Sequence, residues 1–396
     1  MIYKPFQDLR LSQLGFGCMR FPLLADGVTI DEQQVADMTA YAIEHGVNYF
    51  DTAWPYHQGN SERVIGKVLS KYPRESYYLA NKYPGHQIAS SYDPAAIFEA
   101  QLEKCGVEYF DFYLLHNVYE RSIETYMAPQ WGILDYFLEQ KRLGRIKHLG
   151  FSTHGSIATM EKFLDFCGEH MEFCQIQLNY MDWTLQDARG KCALLAKHNI
   201  PVWVMEPVRG GKLAQLSETD EAQLKAMRPD ETVPAWCFRW LQGIEGVTVV
   251  LSGMSNLEQM MDNVKTFTAP KPLTAEEDAL LMAITEKLKN AVPCTACRYC
   301  CDGCPMELDI PALLALYNDL RVTPSFLLGM RVEALPPEKR PTACIGCGAC
   351  TTICPQNINI PEKLADMAEI LKGIPSWEAI CREREAAAKK KSSVST

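Results

Sequence analysis

The chain has 396 residues, of which 22% are charged and 47% are hydrophobic, an ordinary balance for a globular protein. No apolar stretch reaches the roughly 18 to 20 residues that span a bilayer, and the formal net charge of −10 argues against nucleic acid as a main partner. The chain begins without the apolar core of a signal peptide, so we expect a cytoplasmic location and reduced cysteines rather than disulfides.

Eight apolar runs of strand length alternate with longer amphipathic segments over the first two thirds of the chain. The runs cover residues 11–18, 47–53, 77–82, 110–116, 146–153, 173–180, 201–206 and 247–252. Near-continuous apolar strands separated by helical segments are typical of parallel strands buried on both faces. The sequence therefore predicts an α/β fold, a (β/α)8 TIM barrel.

Two helix starts in this region follow known capping rules. Residues 31–44 have an apolar face behind an acidic first turn, which predicts the first outer helix. Asp93 followed by Pro94 places an N-cap before a proline at the first helical position, and predicts a helix to about Lys104.

Four reactive side chains stand at or just after the ends of three consecutive predicted strands. Asp51 closes the second strand and Tyr56 follows it, Lys82 ends the third strand, and His116 ends the fourth. In a (β/α)8 barrel the strand C-termini meet at one face, where the active site is built. We therefore expect these four side chains to lie together at the mouth of the barrel.

The same residues carry a resemblance to the aldo-keto reductase superfamily. The motif Asp51-Thr52-Ala53-Trp54-Pro55-Tyr56, then Lys82, then Leu114-Leu115-His116 is similar to its catalytic tetrad, and the likeness extends over about residues 11–263. The resemblance implies reduction of an aldehyde or ketone by hydride transfer from NAD(P)H. Tyr56 would give the proton, Lys82 would stabilise the phenolate, Asp51 would balance Lys82, and His116 would orient the carbonyl.

The resemblance also implies sites for an extended nicotinamide dinucleotide. Ser152 and Gln177 match the pair that binds the carboxamide, while Met205 replaces an aromatic ring that stacks on the nicotinamide in many relatives. The matching phosphate and adenosine positions are Ser252, Gly253, Met254, Asn256, Gln259 and Asn263.

The choice between NAD and NADP is left open by the sequence. Gly253 and Gln259 stand where NADP-preferring relatives often carry Lys and Arg for the 2′-phosphate. Arg209 and Lys212 either supply a compensating charge or are solvated loop residues.

Two cysteine quartets near the C-terminus repeat one spacing, C-x2-C-x2-C-x3-C-P, at residues 294–305 and 344–355. This spacing is typical of [4Fe–4S] ligands, whereas zinc pairs usually lie apart in sequence. Resemblance to two-cluster bacterial ferredoxins implies that each cluster takes its fourth ligand from the other quartet. One set is then Cys294, Cys297, Cys300 and Cys354, and the other is Cys344, Cys347, Cys350 and Cys304.

Eight cysteines remain outside these sets. Cys301 is either a swapped ligand or a spare thiol, because it directly follows Cys300. The others lack ligand spacing and are expected to be core thiols: Cys18, Cys105, Cys167, Cys174, Cys192, Cys237 and Cys381.

The predicted domain order is a barrel over residues 1–270, a helical connector over 271–292, an iron–sulfur domain over 293–376 and a polar tail over 377–396, disordered at its end. Thr274 and Glu277 form a capping-box pattern for a connector helix to about Lys289. The iron–sulfur domain is expected to be ferredoxin-like and mostly α-helical, with one helix at 310–320.

The two halves handle electrons differently, because nicotinamide carries a hydride and each cluster carries one electron at a time. The predicted function is carbonyl reduction coupled to electron transfer through two [4Fe–4S] clusters. A ferredoxin or another redox protein is the expected partner, and a flavin could convert between the two regimes although no flavin motif is evident. Two alternatives stay open. One is an ordinary carbonyl reductase with structural or redox-sensing clusters, and the other is a non-catalytic electron-transfer or regulatory subunit.

Overall fold

The computed structural model describes residues 1–87, 89–288, 292–322 and 326–375. The chain forms two compact units, Met1–Glu286 and Lys287–Thr396. The predicted tail at 377–396 and Cys381 lie outside the described residues.

The first unit contains a closed barrel of eight parallel strands, preceded by a two-stranded antiparallel hairpin. The hairpin strands are β1 (Tyr3–Phe6) and β2 (Leu9–Ser12). The barrel strands are β3 (Leu14–Gly17), β4 (Tyr49–Asp51), β5 (Tyr78–Tyr83), β6 (Phe110–Val118), β7 (Ile146–Thr153), β8 (Cys174–Gln177), β9 (Val202–Met205) and β10 (Val247–Ser252). Strand β10 closes the barrel by pairing with both β9 and β3. The predicted (β/α)8 barrel is confirmed.

Helices surround the barrel in the order that the alternation predicts. They are α1 (Glu32–Glu44), α2 (Ser61–Leu69), α3 (Pro94–Cys105), α4 (Ile123–Met127), α5 (Ile133–Arg142), α6 (Ile157–Cys167), α7 (Asp182–Leu185), α8 (Ala188–Lys197), α9 (Glu218–Met227), α10 (Val233–Gln242), α11 (Leu257–Thr266) and α12 (Ala275–Leu288). The predicted cap at Asp93 is confirmed, since its side chain accepts a hydrogen bond from the N–H of Ala96 at 2.9 Å. The helix predicted over residues 31–44 is α1, and Asp31 caps it by accepting from the backbone N–H of Gln34.

The start of the chain differs from the prediction of one strand over residues 11–18. The predicted strand is interrupted at Gln13. The N–H of Gln13 donates to the carbonyl of Ile2, and its carbonyl accepts from the N–H of Val250. Residues before the break therefore pair in the hairpin, and residues after it enter the barrel. Phe6 of the hairpin packs against Phe112 and Trp203 at ring-centroid distances of 5.6 and 5.1 Å, so the hairpin covers the end of the barrel where the strands begin.

Helix α12 begins with the predicted capping box, which the structure confirms. The N–H of Thr274 donates to Glu277 Oε2 at 2.8 Å, and the N–H of Glu277 donates to Thr274 Oγ1 at 3.3 Å. Arg228 donates to both carboxylate oxygens of Glu277, at 2.6 and 2.7 Å, and so fixes the start of α12 to the barrel unit.

The second unit is mostly helical, as predicted, and no strand occurs among its described residues. Its helices are α13 (Tyr299–Asp302), α14 (Ile310–Val322), α15 (Phe326–Glu333), α16 (Ala349–Ile353) and α17 (Ile360–Lys372). Leu313 and Leu320 of α14 share a buried core with Leu364 and Met367 of α17. Across all the residues that the structure describes, no helix is long and apolar enough to cross a membrane.

Candidate functional sites

The first site lies at the end of the barrel where the strands finish. Strands β4 and β5 pair with Asp51 opposite Ala80, and this register brings Lys82 beside Asp51. Lys82 Nζ lies 2.5 Å from Asp51 Oδ1 and 2.7 Å from the carbonyl oxygen of Thr52. The side chains of Lys82 and Asp51 are only 0% and 3% exposed. A full ion pair is thus withdrawn from water beneath the mouth of the barrel.

Tyr56 lies directly above this ion pair. Lys82 Nζ is 5.0 Å from the centroid of the Tyr56 ring, and His116 meets that ring edge-on at 6.3 Å. The loop is held by His57, which has a φ of +51° and whose Nε2 accepts a hydrogen bond from the N–H of Phe21 at 3.2 Å. The structure brings the four predicted side chains into one cluster.

The Tyr56 phenol is protonated, as a proton donor must be, but its pKa does not shift in the direction expected from the neighbouring Lys82. Burial raises the pKa of Tyr56 well above its usual value, and the charge of Asp51 raises it further. Lys82 was expected to lower that pKa, but its charge is balanced by Asp51 at 2.5 Å in the resting site. The phenol is therefore fully protonated at neutral pH, and is available as an acid.

His116 is held as a neutral imidazole. Burial lowers its pKa well below the usual value, and the nearby His86 and Lys82 lower it further. Its carbonyl oxygen accepts hydrogen bonds from Tyr126 Oη at 2.7 Å and from His86 Nδ1 at 3.1 Å, which fixes the backbone and places a proton on His86 Nδ1. The Nδ1 atom of His116 is buried without a hydrogen-bond partner, so the ring keeps capacity for a ligand.

The residues proposed for nucleotide binding lie on the same rim. Ser152 Oγ, at the end of β7, accepts from the N–H of Asn117 at 2.9 Å. Asn263 donates to Ser252 Oγ at 3.0 Å, which ties α11 to the end of β10. Asn256 caps α11 by accepting from the N–H of Gln259 at 2.9 Å.

Two further residues of the predicted nucleotide site frame the start of α11. Gly253 is exposed and Met254 is buried. The first turn of α11 carries one acidic side chain, Glu258. Backbone N–H groups at a helix start suit a phosphate, but here those of Ser255 and Gln259 already donate to the side chains of Gln259 and Asn256.

A buried ion pair next to Gln177 was missed by the sequence analysis. Asp182 is fully buried, and its Oδ2 accepts from Gln177 Nε2 and Asn179 Nδ2, both at 2.7 Å, and from Arg209 Nε at 3.0 Å. The interpretation of Arg209 as a solvated loop residue is wrong, because Asp182 draws it into the protein, where it is 1% exposed. Lys212 is exposed.

The second unit holds two recesses, each lined by four cysteines. The other lining residues of the first recess include Thr295, Arg298 and Gln356, and those of the second are apolar or glycine. The cysteines of the first recess are Cys294, Cys297, Cys300 and Cys354. Those of the second are Cys304, Cys344, Cys347 and Cys350. Each recess combines three cysteines of one quartet with the fourth of the other, and Cys301 lines neither.

The donor set of each recess fits an iron–sulfur cluster. Neither lining contains a carboxylate, and the N–H of Ala296 points at Cys294 Sγ at 3.4 Å, the kind of contact that stabilises a thiolate. Of the other cysteines, Cys18, Cys105, Cys167, Cys174 and Cys237 are buried as expected, and Cys192 is partly buried.

Comparison with known proteins assigns both units. Residues 13–286 match the model of the aldo/keto reductase family, and residues 293–359 match that of the 4Fe-4S dicluster domain. The first match covers more than half of the chain, so the protein belongs to the aldo/keto reductase family of oxidoreductases, with an iron–sulfur domain at its C-terminal end.

Individual relatives agree with this assignment. The NADH-specific methylglyoxal reductase of Escherichia coli is 24% identical over 325 residues, covering 69% of this chain and 94% of that protein. The holo form of aldo-keto reductase AKR11C1 from Bacillus halodurans is 26% identical with a TM-score of 0.57, covering 72% of this chain and 96% of that one. An aldo-keto reductase from Klebsiella pneumoniae in complex with NADPH has a TM-score of 0.57 at 20% identity, covering 73% and 95%, and shows the fold alone.

Proposed function

We propose that the protein reduces a small aldehyde or ketone with NAD(P)H, and that it exchanges single electrons through two [4Fe–4S] clusters in its second unit. The observation that carries the first half is the buried Lys82–Asp51 ion pair directly beneath Tyr56. An isolated charge would not be retained in such a place without a partner, and an ion pair there suits a site where charge develops during a reaction.

Tyr56, His116 and Lys82 would have different roles in proton transfer. A carbonyl oxygen bound between Tyr56 and His116 would receive a hydrogen bond from the neutral imidazole and the proton from the phenol. When Tyr56 gives up its proton, the phenolate forms on a ring whose centroid lies 5.0 Å from the Lys82 ammonium, and Asp51 holds that ammonium in place. The resting phenol is a weak acid, so its proton moves only as negative charge builds on the carbonyl oxygen.

The nucleotide would lie across Ser152, Gln177 and the start of α11. The amide of Gln177 is oriented by Asp182, whose Oδ2 accepts a hydrogen bond from Gln177 Nε2 at 2.7 Å. Bound there, the nicotinamide would supply the hydride. NADH and NADPH are both candidates, since the rim offers helix-terminal N–H groups but has Gly253 and Gln259 where a 2′-phosphate is often bound through cations.

Cysteines from both quartets would hold the clusters, Cys294, Cys297, Cys300 and Cys354 in one recess and Cys304, Cys344, Cys347 and Cys350 in the other. Such clusters transfer one electron at a time, so a redox protein such as a ferredoxin is the expected partner. Their presence in the same chain as a hydride-transfer barrel would favour coupled electron transfer over a purely structural role.

The activity is tested with anaerobically prepared protein, by following NADH and NADPH oxidation in the presence of methylglyoxal and other small carbonyls. We expect Tyr56→Phe to lose at least a hundredfold in kcat while nucleotide binding is retained. Tyr41→Phe, on outer helix α1, is the matched control and should behave as the wild type. Nucleotide binding without turnover in the wild-type protein would instead favour the non-catalytic regulatory alternative.

The cluster assignment is tested separately by iron and sulfide analysis. Cys300→Ser removes a thiol that lines the first recess, whereas Cys301→Ser removes its neighbour, which lines neither. We expect about eight iron atoms per chain in the wild-type protein and in Cys301→Ser, and a marked loss in Cys300→Ser. Equal iron losses in both variants would contradict the ligand set.

A further inference from the structure

Glu206 directly follows β9, and therefore lies at the same end of the barrel as Tyr56 and Lys82. Its backbone has a φ of +58°, in the left-handed region that residues other than glycine rarely adopt. The carbonyl of Glu206 accepts hydrogen bonds from Asn179 Nδ2 and from the N–H of Arg209, both at 3.0 Å. These contacts fix the residue in a strained conformation, which is commonly a feature of ligand sites.

Only part of the hydrogen-bonding capacity of the Glu206 carboxyl is used. The backbone N–H of Gly210 donates to it, but the Oε2 atom is buried and has no hydrogen-bond partner. A buried carboxyl oxygen without a donor is costly, and such atoms are rare in folded proteins. Burial raises the pKa of this carboxyl to about 7, although the charges of Arg20 and Arg209 oppose that rise. A donor supplied by a ligand would remove the cost.

The location of this oxygen connects it to the reaction. Glu206 lies close enough to Tyr56 for its charge to raise the pKa of the phenol. The side chains of Asp182 and Arg209, which hold the surrounding turn, are already paired with each other. The unpartnered oxygen therefore belongs to the barrel mouth where Tyr56 would meet a carbonyl.

We propose that Glu206 is a specificity-determining residue whose free carboxyl oxygen accepts a hydrogen bond from a hydroxyl group of the bound small molecule. The inference rests on the proposed carbonyl reduction and names its substrate class, carbonyl compounds that carry a hydroxyl near the reacting carbon. The ribose of the nicotinamide nucleotide offers the same chemistry, and the experiment separates these two sources.

The substrate arm compares hydroxyacetone with butanone, which differ by a hydroxyl in place of a methyl group. We expect the wild-type protein to prefer hydroxyacetone in kcat/KM, and Glu206→Gln to lose that preference by about ten- to a hundredfold. The glutamine keeps the size of the side chain but replaces a charged acceptor with a weaker neutral one, so its loss should lie near the tenfold end of that range. Glu206→Ala should lose the preference as well, and Glu245→Gln, an exposed carboxyl at the other end of the barrel, is the matched control.

The nucleotide arm measures the Kd of NADH and NADPH by nucleotide fluorescence in the same variants. Unchanged Kd values together with a lost substrate preference assign the hydroxyl to the substrate. Kd values raised about tenfold, with both ketones affected equally, assign it to the ribose. Changes below about twofold in both arms would overturn the proposal.

A failure of the proposed function can be told apart from a failure of this inference. If the wild-type protein turns over neither ketone nor any other carbonyl, the proposed reduction fails. The inference on Glu206 is then read from calorimetric binding of propane-1,2-diol against butan-2-ol, and from the nucleotide Kd values. If Glu206→Gln binds all of these as the wild type does, the inference fails too.

Discussion

Lys82 and Asp51 place two full charges in an interior that excludes water. The carboxyl of Asp51 has its pKa raised by burial, and this effect is opposed by Lys82. Its Oδ2 atom is buried without a hydrogen bond, so the pair does not fully offset its own desolvation. A protein keeps such an arrangement where a charge has a role in the chemistry, and the role that we propose here is the stabilisation of a phenolate on Tyr56.

Substitutions in this pair should separate stability from activity. Lys82→Met leaves Asp51 buried and unpaired, and we expect it to lower the free energy of unfolding by about 3 kcal/mol. The double variant Asp51→Asn with Lys82→Met should recover most of that loss, because no buried charge remains. Both variants should lose at least a hundredfold in kcat.

Urea unfolding and carbonyl-dependent NAD(P)H oxidation give the two measurements. A double variant that regains activity along with stability would show that the ammonium has no part in catalysis.

The four residues of this cluster were predictable because each stands at or just after the end of a predicted strand, in the order that the barrel requires. Asp182 and Arg209 were not, since they are 27 positions apart and pair only after β8 and β9 are side by side. Glu206 gave no signal either, because a positive φ and an unpartnered oxygen are properties of the folded chain. The cysteine quartets lie at the other extreme, where spacing alone indicates the chemistry.

At the scale of elements, helices α2 and α3 approach so closely that only glycine fits at their contact. A Cβ atom on Gly66 would lie 2.3 Å from the carbonyl oxygen of Cys105, which is backbone and unable to move aside. The contact therefore sets the spacing of these two helices around the barrel.

Gly66→Ala tests whether packing or helix propensity has the larger effect on the stability of the folded protein. Alanine favours a helix by about 1 kcal/mol over glycine, but overpacking costs about 1 to 3 kcal/mol. Since the clash is with backbone, we expect net destabilisation, measured as a lower urea midpoint. Gly243→Ala is the control, because a Cβ there would meet its nearest atom at 3.4 Å, an ordinary contact. A more stable Gly66→Ala variant would refute the packing argument.

Helix α12 is held to the barrel by Glu277, whose side chain is 10% exposed. The hydrogen bonds from Arg228, and next those from Thr274, lower the pKa of Glu277 to about 2 from its usual 4.5, against the opposing effect of burial. A pKa that is lowered by folding stabilises the folded state above pH 4.5, and this contribution is lost as the pH falls toward 2.

Glu277→Gln should therefore be less stable than the wild type at pH 6, by on the order of 2 to 3 kcal/mol. The difference should begin to narrow between pH 5 and pH 4, as the carboxyl takes up a proton in the unfolded chain. Urea midpoints at pH 6, 5 and 4 provide the measurement. A difference that stays constant to pH 4 would mean that charge does not hold this helix.

The element order of the barrel was predictable from apolar runs and helix caps, but the hairpin at the N-terminus was not. Residues 11–18 form a continuous apolar pattern, and the interruption at Gln13 depends on partners at Ile2 and Val250. Those partners are distant in sequence, so the register of the first barrel strand is a tertiary property.

At the scale of the whole molecule, the chain joins two compact units with different needs. Cys300 and Cys350, which line the two recesses, belong to the buried core of the second unit. The second unit should therefore depend on its cofactors for stability, as small metal-binding domains commonly do.

Removal of iron with a chelator, without oxygen, should affect the two units differently. Six of the seven tryptophans lie at or before residue 240, so their fluorescence reports on the barrel. We expect the urea midpoint from fluorescence to change little, while limited digestion with trypsin cuts the second unit faster. A large common shift would indicate that the two units unfold as one.

Cys304 and Cys354 are exchanged between the two recesses, so each supplies the last thiol to the cage that the other quartet begins. Neither cage can then be completed from one continuous stretch of chain. Loading of the proposed clusters should be concerted, with preparations containing mainly fully metallated or empty chains and few intermediates. Loss of one proposed cluster would therefore destabilise the other, and the second unit would lose its redox function in a single step.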